Sequence, residues 1–384
     1  MDKLLYCKSN IDEYGGMSLK KVLLLCQQGV PYETSPARYQ LVQELKRKGY
    51  IIYVFNSANI LYHEIRNDID YFTNTRKMSQ KEIRKKIKNI KPDYIIAFTD
   101  DDTRILFSLL WTMKKTCFIY FNLEIYTPER EQRRKKNKNK FFYPILWRLA
   151  FLSNKLKEVV FTKKCKVFII QDNLRRKTSA RYFIHHPNTL LIPNSYIYNS
   201  EDFVKEVGCG IVYSGILTKL RLEPLMEELK LLPNLPLVLS GKSDDWFRKQ
   251  YKALHINHPD IDMYEQSLSP QNHLEFLKQY AIGLVWYSPA SDANENDIGL
   301  SSGKLFRHLS IGQPVIVSPC PGLSSVVEKY KLGVVINNIS ELSDAYAKIM
   351  NDYSQYLQNI KRIYINKFDY SKIIQPFLRE MEKM

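Results

Sequence analysis

Ser301-Ser302-Gly303-Lys304-Leu305-Phe306-Arg307-His308-Leu309-Ser310-Ile311-Gly312-Gln313-Pro314-Val315-Ile316-Val317 sets a turn of small residues, a helix and a strand in immediate succession. The serines and the glycine predict a turn feeding a helix over Lys304 to Ser310. Gly312 closes that helix and Pro314 opens a strand running to Val317. A helix entered this way presents backbone N–H groups and the positive end of its dipole, which together attract an anion. Lys304 adds a full positive charge in the first turn, where a cation opposes the dipole unless an anion compensates both. The construction suits a diphosphate.

The same alternation extends upstream. Gly210 to Ser214 reads as a strand, Arg221 to Leu231 as a helix, and Leu235 to Ser240 as a strand ending at Gly241. Gln271 to Gln279 is then helical and Ile282 to Tyr287 extended. The first half repeats the plan, beginning with a strand at Lys21 to Cys26. A helix follows, opened by Ser35-Pro36 and closed at Gly49, and then a strand at Tyr50 to Phe55. Next come a basic helix at Ser79 to Lys91, a strand at Asp93 to Phe98, a helix at Thr103 to Lys115 and a strand at Thr116 to Leu123. Val167 to Gln171 and Asn173 to Tyr182 form one more strand and helix. Leu190 to Ser195 reads as a short strand stopped by a turn.

Strands alternating with helices imply parallel sheets covered on both faces. The chain therefore reads as α/β with two doubly wound, Rossmann-like domains facing a central cleft. Residues 1–196 would form the first domain and 207–365 the second, with 366–384 a C-terminal helix crossing back. Ligands of such sheets bind at the carboxyl ends of the strands, here in the cleft.

Bulk composition agrees. A chain of 384 residues exceeds what one core usually supports. Its 45% apolar and 25% charged residues are those of a globular protein. Six scattered cysteines without metal-type spacing point to reduced thiols and the cytoplasm. Residues 1–200 hold 37 Lys+Arg and 18 Asp+Glu, a balance of +19, so the remainder, 20 against 22, is −2. The basic half predicts an anionic partner, such as a phospholipid surface, a lipid-linked diphosphate or nucleic acid. Nucleic acid is disfavoured, because basic and aromatic recognition motifs are not interleaved.

Taken as a pattern, Ser301 to Ile316 resembles the retaining GT-B glycosyltransferases, close to glycosyltransferase family four. The usual form there is S-P-N-K-x-F-E-Y-x-A-x-G-x-P-V-I. Val212-Tyr213-Ser214-Gly215, followed by Lys219 and Arg221, is similar to the family's glycine strand and its diphosphate contacts. Gln171, Asp172 and Arg175, with Ile192-Pro193-Asn194-Ser195, resemble the segments ending the first domain, and Gly29 with Ser35-Pro36-Ala37-Arg38 its glycine loop.

The resemblance implies transfer of a sugar from a nucleotide-diphosphate sugar to a glycan or lipid-linked acceptor at the inner face of the membrane. It implies retained configuration and a place in cell-surface polysaccharide or glycoconjugate synthesis. The donor would meet Gly29, Gly215, Lys219, Arg221, Ser301, Ser302, Gly303, Lys304 and Arg307. Asp100, Gln171, Arg175 and Asn194 would lie at the domain junction or on the acceptor side. One position departs from the pattern: the glutamate that meets the donor ribose falls at Arg307, and a guanidinium only donates hydrogen bonds. Two other readings stay open, a non-catalytic GT-B binding or partner subunit and a nucleotide-sugar epimerase.

Glu124, ending the fourth strand, and Asp101 are the candidate catalytic carboxylates, orienting or deprotonating an acceptor hydroxyl. Either is equally served by pairing with a nearby basic residue, and Asp102 by capping a helix that begins at Thr103. Asp100-Asp101-Asp102 contains D-x-D, but three consecutive aspartates match it trivially. No metal and no cofactor beyond the nucleotide sugar is expected, the leaving diphosphate being held by Lys219, Arg221, Lys304 and the first-turn amides. His185-His186 and His255-x-x-His258 lack partners that would complete a metal site. Finally, a basic run followed by aromatic residues across 129–152 fits an interfacial anchor on an anionic leaflet.

Overall fold

The computed structural model describes residues 19–28, 35–60, 67–129, 143–204, 206–230, 235–265, 268–287 and 293–384. Two parallel sheets organise them. The first comprises β1 (Lys21–Cys26), β2 (Ile51–Asn56), β3 (Tyr71–Asn74), β4 (Tyr94–Ala97), β5 (Cys117–Phe121), β6 (Val167–Ile170) and β7 (Thr189–Leu191). Their spatial order is β3-β2-β1-β4-β5-β6-β7. The second comprises β8 (Ile211–Ser214), β9 (Leu237–Ser240), β10 (Ile261–Tyr264), β11 (Ile282–Val285), β12 (Val315–Val317) and β13 (Gly333–Val335), ordered β10-β9-β8-β11-β12-β13. Each sheet has one point where the strand order reverses, between β1 and β4 and between β8 and β11. These are the positions at which a doubly wound sheet opens a crevice at its carboxyl edge.

The apolar strand runs follow from coverage on both faces. Residues Val22 to Leu25 are wholly buried, their side chains dividing between two cores. One core includes Tyr370, Ile374, Phe377, Leu378 and Met381, so the last segment of the chain packs against the first sheet. Its anchor is a hydrogen bond from Tyr94 Oη to the Met381 carbonyl at 2.7 Å. The two passages between the sheets are tied together where Tyr370 N donates to the Tyr196 carbonyl at 3.1 Å.

Three local readings change. The helix expected from Thr103 begins at Asp100 and gives way after Leu106 to a short 3-10 turn. Asp102 is therefore not its N-cap. Thr99 is, and Asp102 sits three residues on, accepting the Thr99 amide at 3.0 Å in a capping box. The helix expected from Arg221 starts two residues earlier, at Lys219. No helix among the described residues is long and apolar enough to cross a membrane.

Candidate active site

The first-domain wall is built at the β1/β4 reversal. The Asp102 carboxylate accepts backbone amides from Gln27 at 2.9 Å, Phe98 at 2.8 Å and Thr99 at 3.0 Å, stapling β1 to the start of its helix. Burial pushes its carboxyl up to about 7, against the pull of Arg38 and these amides. Arg38, itself buried, stacks over Phe98 and donates to Gln28 Oε1 at 3.0 Å. Gln28 Nε2 donates in turn to Glu124 Oε2 at 3.0 Å. A glutamine thus relays position from a buried cation to the half-buried carboxylate at the end of β5. Asp100 and Asp101 behave differently: both pair with Arg104 on their own helix.

A hydrogen-bonded seam joins this wall to the second domain. Arg175, 1% exposed, donates to Gln171 Oε1 at 2.9 Å, to the Leu123 carbonyl at 3.1 Å and to Asn294 Oδ1 at 3.3 Å. Gln171 Nε2 donates to the Asn122 carbonyl at 2.8 Å. Asn294 clasps the backbone of Ile125, accepting its amide at 2.7 Å and donating to its carbonyl at 2.6 Å. Asp172 caps its helix through Arg175 N and also accepts the Leu300 amide at 3.1 Å. Gly299 is required there, since an added Cβ would lie 2.9 Å from Asp172 Oδ2 at a φ of +32°. The backbone flanking Glu124 is held from both domains.

The second-domain wall centres on the helix Gly303–Ser310. Ser302 is its N-cap, its Oγ accepting Leu305 N at 3.1 Å and contacting Tyr287 Oη at 3.1 Å. Lys304 Nζ lies 4.1 Å from the centroid of Tyr287 and 4.7 Å from that of Tyr213. It donates to the Trp286 carbonyl at 3.0 Å and to Tyr213 Oη at 3.1 Å. Ring faces and a carbonyl compensate a cation that the helix dipole repels. Gly215 fits beside it, because a Cβ would sit 2.9 Å from Tyr213 Oη and 3.2 Å from Lys304 Cε. The amino end of this helix meets the amino end of Pro36–Arg47 through Asn194. That side chain accepts the Ala37 amide at 2.7 Å and donates to the Ser301 carbonyl at 3.1 Å. On the linker side an open interdomain cavity of about 610 Å³ is lined by Tyr39, Gln43, Asp68, Tyr196, Asp202 and Gln271, among others.

Of the residues singled out in the sequence, Ser301, Ser302, Gly303, Lys304, Gly215 and Asn194 come together here, and Gln171 and Arg175 join the seam beside Glu124. Arg307, on the same helix, donates Nε to Tyr196 Oη at 3.4 Å. Lys219 stands apart, largely exposed and paired with Glu223 at 3.4 Å. Gly29, the Arg221 side chain and residues 130–142 lie outside the described residues. Sequence reasoning missed Gln28, Asn294, the tyrosines around Lys304 and the pair Ser214 Oγ–His273 Nε2 at 2.6 Å. Burial, then Arg307 and His308, lowers the His273 pKa to about 2, so its ring is neutral. Tyr213 lay within the quoted glycine strand. Asn294 left no signal, because its seam bonds to Ile125 go to main chain. His255 and His258 bond to carbonyls, and no group of three or more potential metal ligands occurs among the described residues.

Two facing parallel sheets, with site residues at their reversal points and a polar seam between them, define the GT-B fold of glycosyltransferases. Residues 234–367 match the family described as Glucosyltransferase 3-like, C-terminal domain. No match was found among curated proteins. Among solved structures, HepE from Anabaena, in complex with UDP-glucose, aligns at a TM-score of 0.70 and 14% identity over 95% of this chain and 100% of its own. Sucrose-phosphate synthase from Thermosynechococcus elongatus aligns at 0.66 and 12% identity, covering 95% and 98%. WaaG, a glycosyltransferase involved in lipopolysaccharide biosynthesis, aligns at 0.62 and 12%, covering 93% and 98%.

Proposed function

We propose that the protein is a glycosyltransferase that moves a hexose from a nucleotide-diphosphate sugar, UDP-linked by analogy with HepE, to a glycan or lipid-linked acceptor. The observation carrying this reading is the meeting of two helix amino ends at Asn194, with Lys304 in the first turn of one and Glu124 across the seam. A diphosphate at that junction faces the positive ends of both dipoles and the Lys304 ammonium, an arrangement that stabilises charge on a leaving group. The acceptor hydroxyl approaches from the first domain. Glu124, fixed by Gln28 and by the clasp on Ile125, accepts its hydrogen bond and orients the oxygen toward the anomeric carbon.

The C–O bond to the diphosphate then breaks, its electron pair leaving on the diphosphate oxygen, as the acceptor oxygen bonds to carbon and gives its proton to the Glu124 carboxylate. Retention of configuration, metal independence and a role in cell-surface polysaccharide synthesis at the cytoplasmic face belong to the same proposal. They rest on the family resemblance and on the basic first half. The test is release of nucleoside diphosphate from a panel of nucleotide sugars, with and without EDTA, by the wild type and Lys304→Met. Release that survives EDTA and is lost in the variant supports the reading. Absence of release from any donor, with no donor bound, shifts it to a non-catalytic GT-B subunit, for which the departure at Arg307 is the motive.

A further inference from the structure

The helix Tyr143–Lys164 lies on the outer side of the first sheet, where Phe161 meets Phe118 and Tyr120 edge to face. Its inward face carries its single acid. Glu158, fully buried, accepts from Lys155 Nζ at 2.7 Å and from Tyr120 Oη at 2.7 Å. Lys155 is itself ringed by Tyr126, Phe151 and Tyr182. The inward face is therefore complete without the rest of the helix.

The outward face does not fit water. Leu149, Leu152 and Leu156 are 58%, 62% and 65% exposed and, at spacings of three and four, form one stripe. Solvent faces of surface helices ordinarily carry charged or polar residues. Here the charges alongside the stripe, Arg148, Lys163 and Lys164, are all basic and exposed. A neighbouring segment carries another exposed ring. Tyr182 contacts Lys155, and the next residue, Phe183, is 70% exposed at a φ of +63°. That backbone closes the helix Asn173–Arg181, Phe183 N donating to the Ala180 carbonyl at 2.9 Å and Ile184 N to the Ser179 carbonyl at 3.1 Å, so that Ile184 is buried while the Phe183 ring stays outside.

We infer that this face docks on an anionic lipid bilayer, the leucines entering the interface and the basic side chains meeting the headgroups. Apolar side chains flanked, among the described residues of this helix, by exposed positive charge match such a surface. A second copy of the chain would bring like charges together and is disfavoured on that ground. The inference does not depend on the transferase reading.

The test is sedimentation of the full chain with vesicles of phosphatidylcholine alone or mixed with phosphatidylglycerol. The triple variant Leu149→Ser, Leu152→Ser, Leu156→Ser and the milder Leu152→Glu are run alongside, with folding checked by circular dichroism. The wild type should partition onto the anionic vesicles, more weakly at high salt, and the triple variant should lose about tenfold or more. If the triple variant does not fold, Leu152→Glu alone decides. Failure of the wild type to bind anionic vesicles overturns the inference. So does undiminished binding by folded leucine variants, or a dimer in solution that the same substitutions dissolve while vesicles bind nothing.

Discussion

Asn194 donates its side-chain amide to the Ser301 carbonyl at 3.1 Å while the oxygen of the same amide accepts Ala37 N at 2.7 Å. One residue thus ties the turn before the second-domain helix to the first turn of the first-domain helix. Asn194→Ala leaves the Ala37 amide unpaired near the junction, at a cost of about 1–3 kcal/mol. Urea unfolding should show that loss, and donor affinity should fall with it, because the two helix ends are no longer held face to face. Unchanged affinity in the variant would remove Asn194 from the site.

Lys304 is the cation placed against the helix dipole, held by Tyr213, Tyr287 and the Trp286 carbonyl. Lys304→Met keeps the length and the contact with the rings, so the fold should persist. Transfer should drop by about 100-fold or more, the loss typical when a group stabilising the leaving charge is removed. Steady-state kinetics on the best donor check this. A variant with wild-type kcat/KM would show that the lysine serves packing alone.

Glu124→Gln preserves shape and still meets Gln28 but accepts a hydroxyl proton poorly. Donor binding should be unaffected, while transfer falls by about 10²–10⁴. Loss of both together would instead mean that Glu124 holds the first-domain wall in place. Asp101→Asn, whose carboxylate pairs with Arg104, should change transfer by less than about threefold, within the ordinary range for a surface substitution.

His308 occupies space that Gly283 leaves open, since a Cβ there would lie 2.3 Å from its ring. Gly283→Ala should destabilise by about 1–3 kcal/mol or more, as overpacked cores do. Gln313 Nε2 donates to the Leu277 and Tyr280 carbonyls, so its oxygen accepts from His308 Nδ1. Burial lowers the His308 pKa to about 4 and that of His273 to about 2. Below the unfolded value near 6.5, the unfolded chain takes up protons that the fold refuses. Stability is therefore fully present above that pH and falls as pH drops toward 4, by up to about 1.4 kcal/mol per pH unit for each histidine. Chemical denaturation between pH 7 and 4.5 should show the slope, and His308→Asn should flatten it.

The sheets were legible because buried parallel strands such as Val22–Leu25 are uninterrupted apolar runs. The helix at Gly303 was legible because its turn, its glycines and Pro314 punctuate it. Two edge strands were not read: Tyr71–Asn74 is short, only partly buried and ends in polar residues, and Gly333–Val335, though it lies in the apolar run Leu332 to Ile336, is only three residues long. The helix Pro321–Tyr330 was not read, because Pro319, Pro321 and Gly322 punctuate its start, although Pro321 is its first residue. At the site, the residues proposed to face an anion announced themselves by type and spacing. Of the seam, Gln171 and Arg175 were marked by the resemblance, whereas Asn294 was not, because its bonds to Ile125 go to main chain. Main-chain partners leave no trace in side-chain identity.

The most direct test of the central claim is a thermal-shift titration with UDP, GDP, ADP, CMP and dTDP and their sugars, on the wild type and Lys304→Met. If the helix junction is a nucleotide-sugar site, one base, expected to be uracil, stabilises the wild type by about 2.7 kcal/mol at 100 times its dissociation constant. The variant should then shift little. A wild type unmoved by every nucleotide, or a variant stabilised as much as the wild type, would contradict the account.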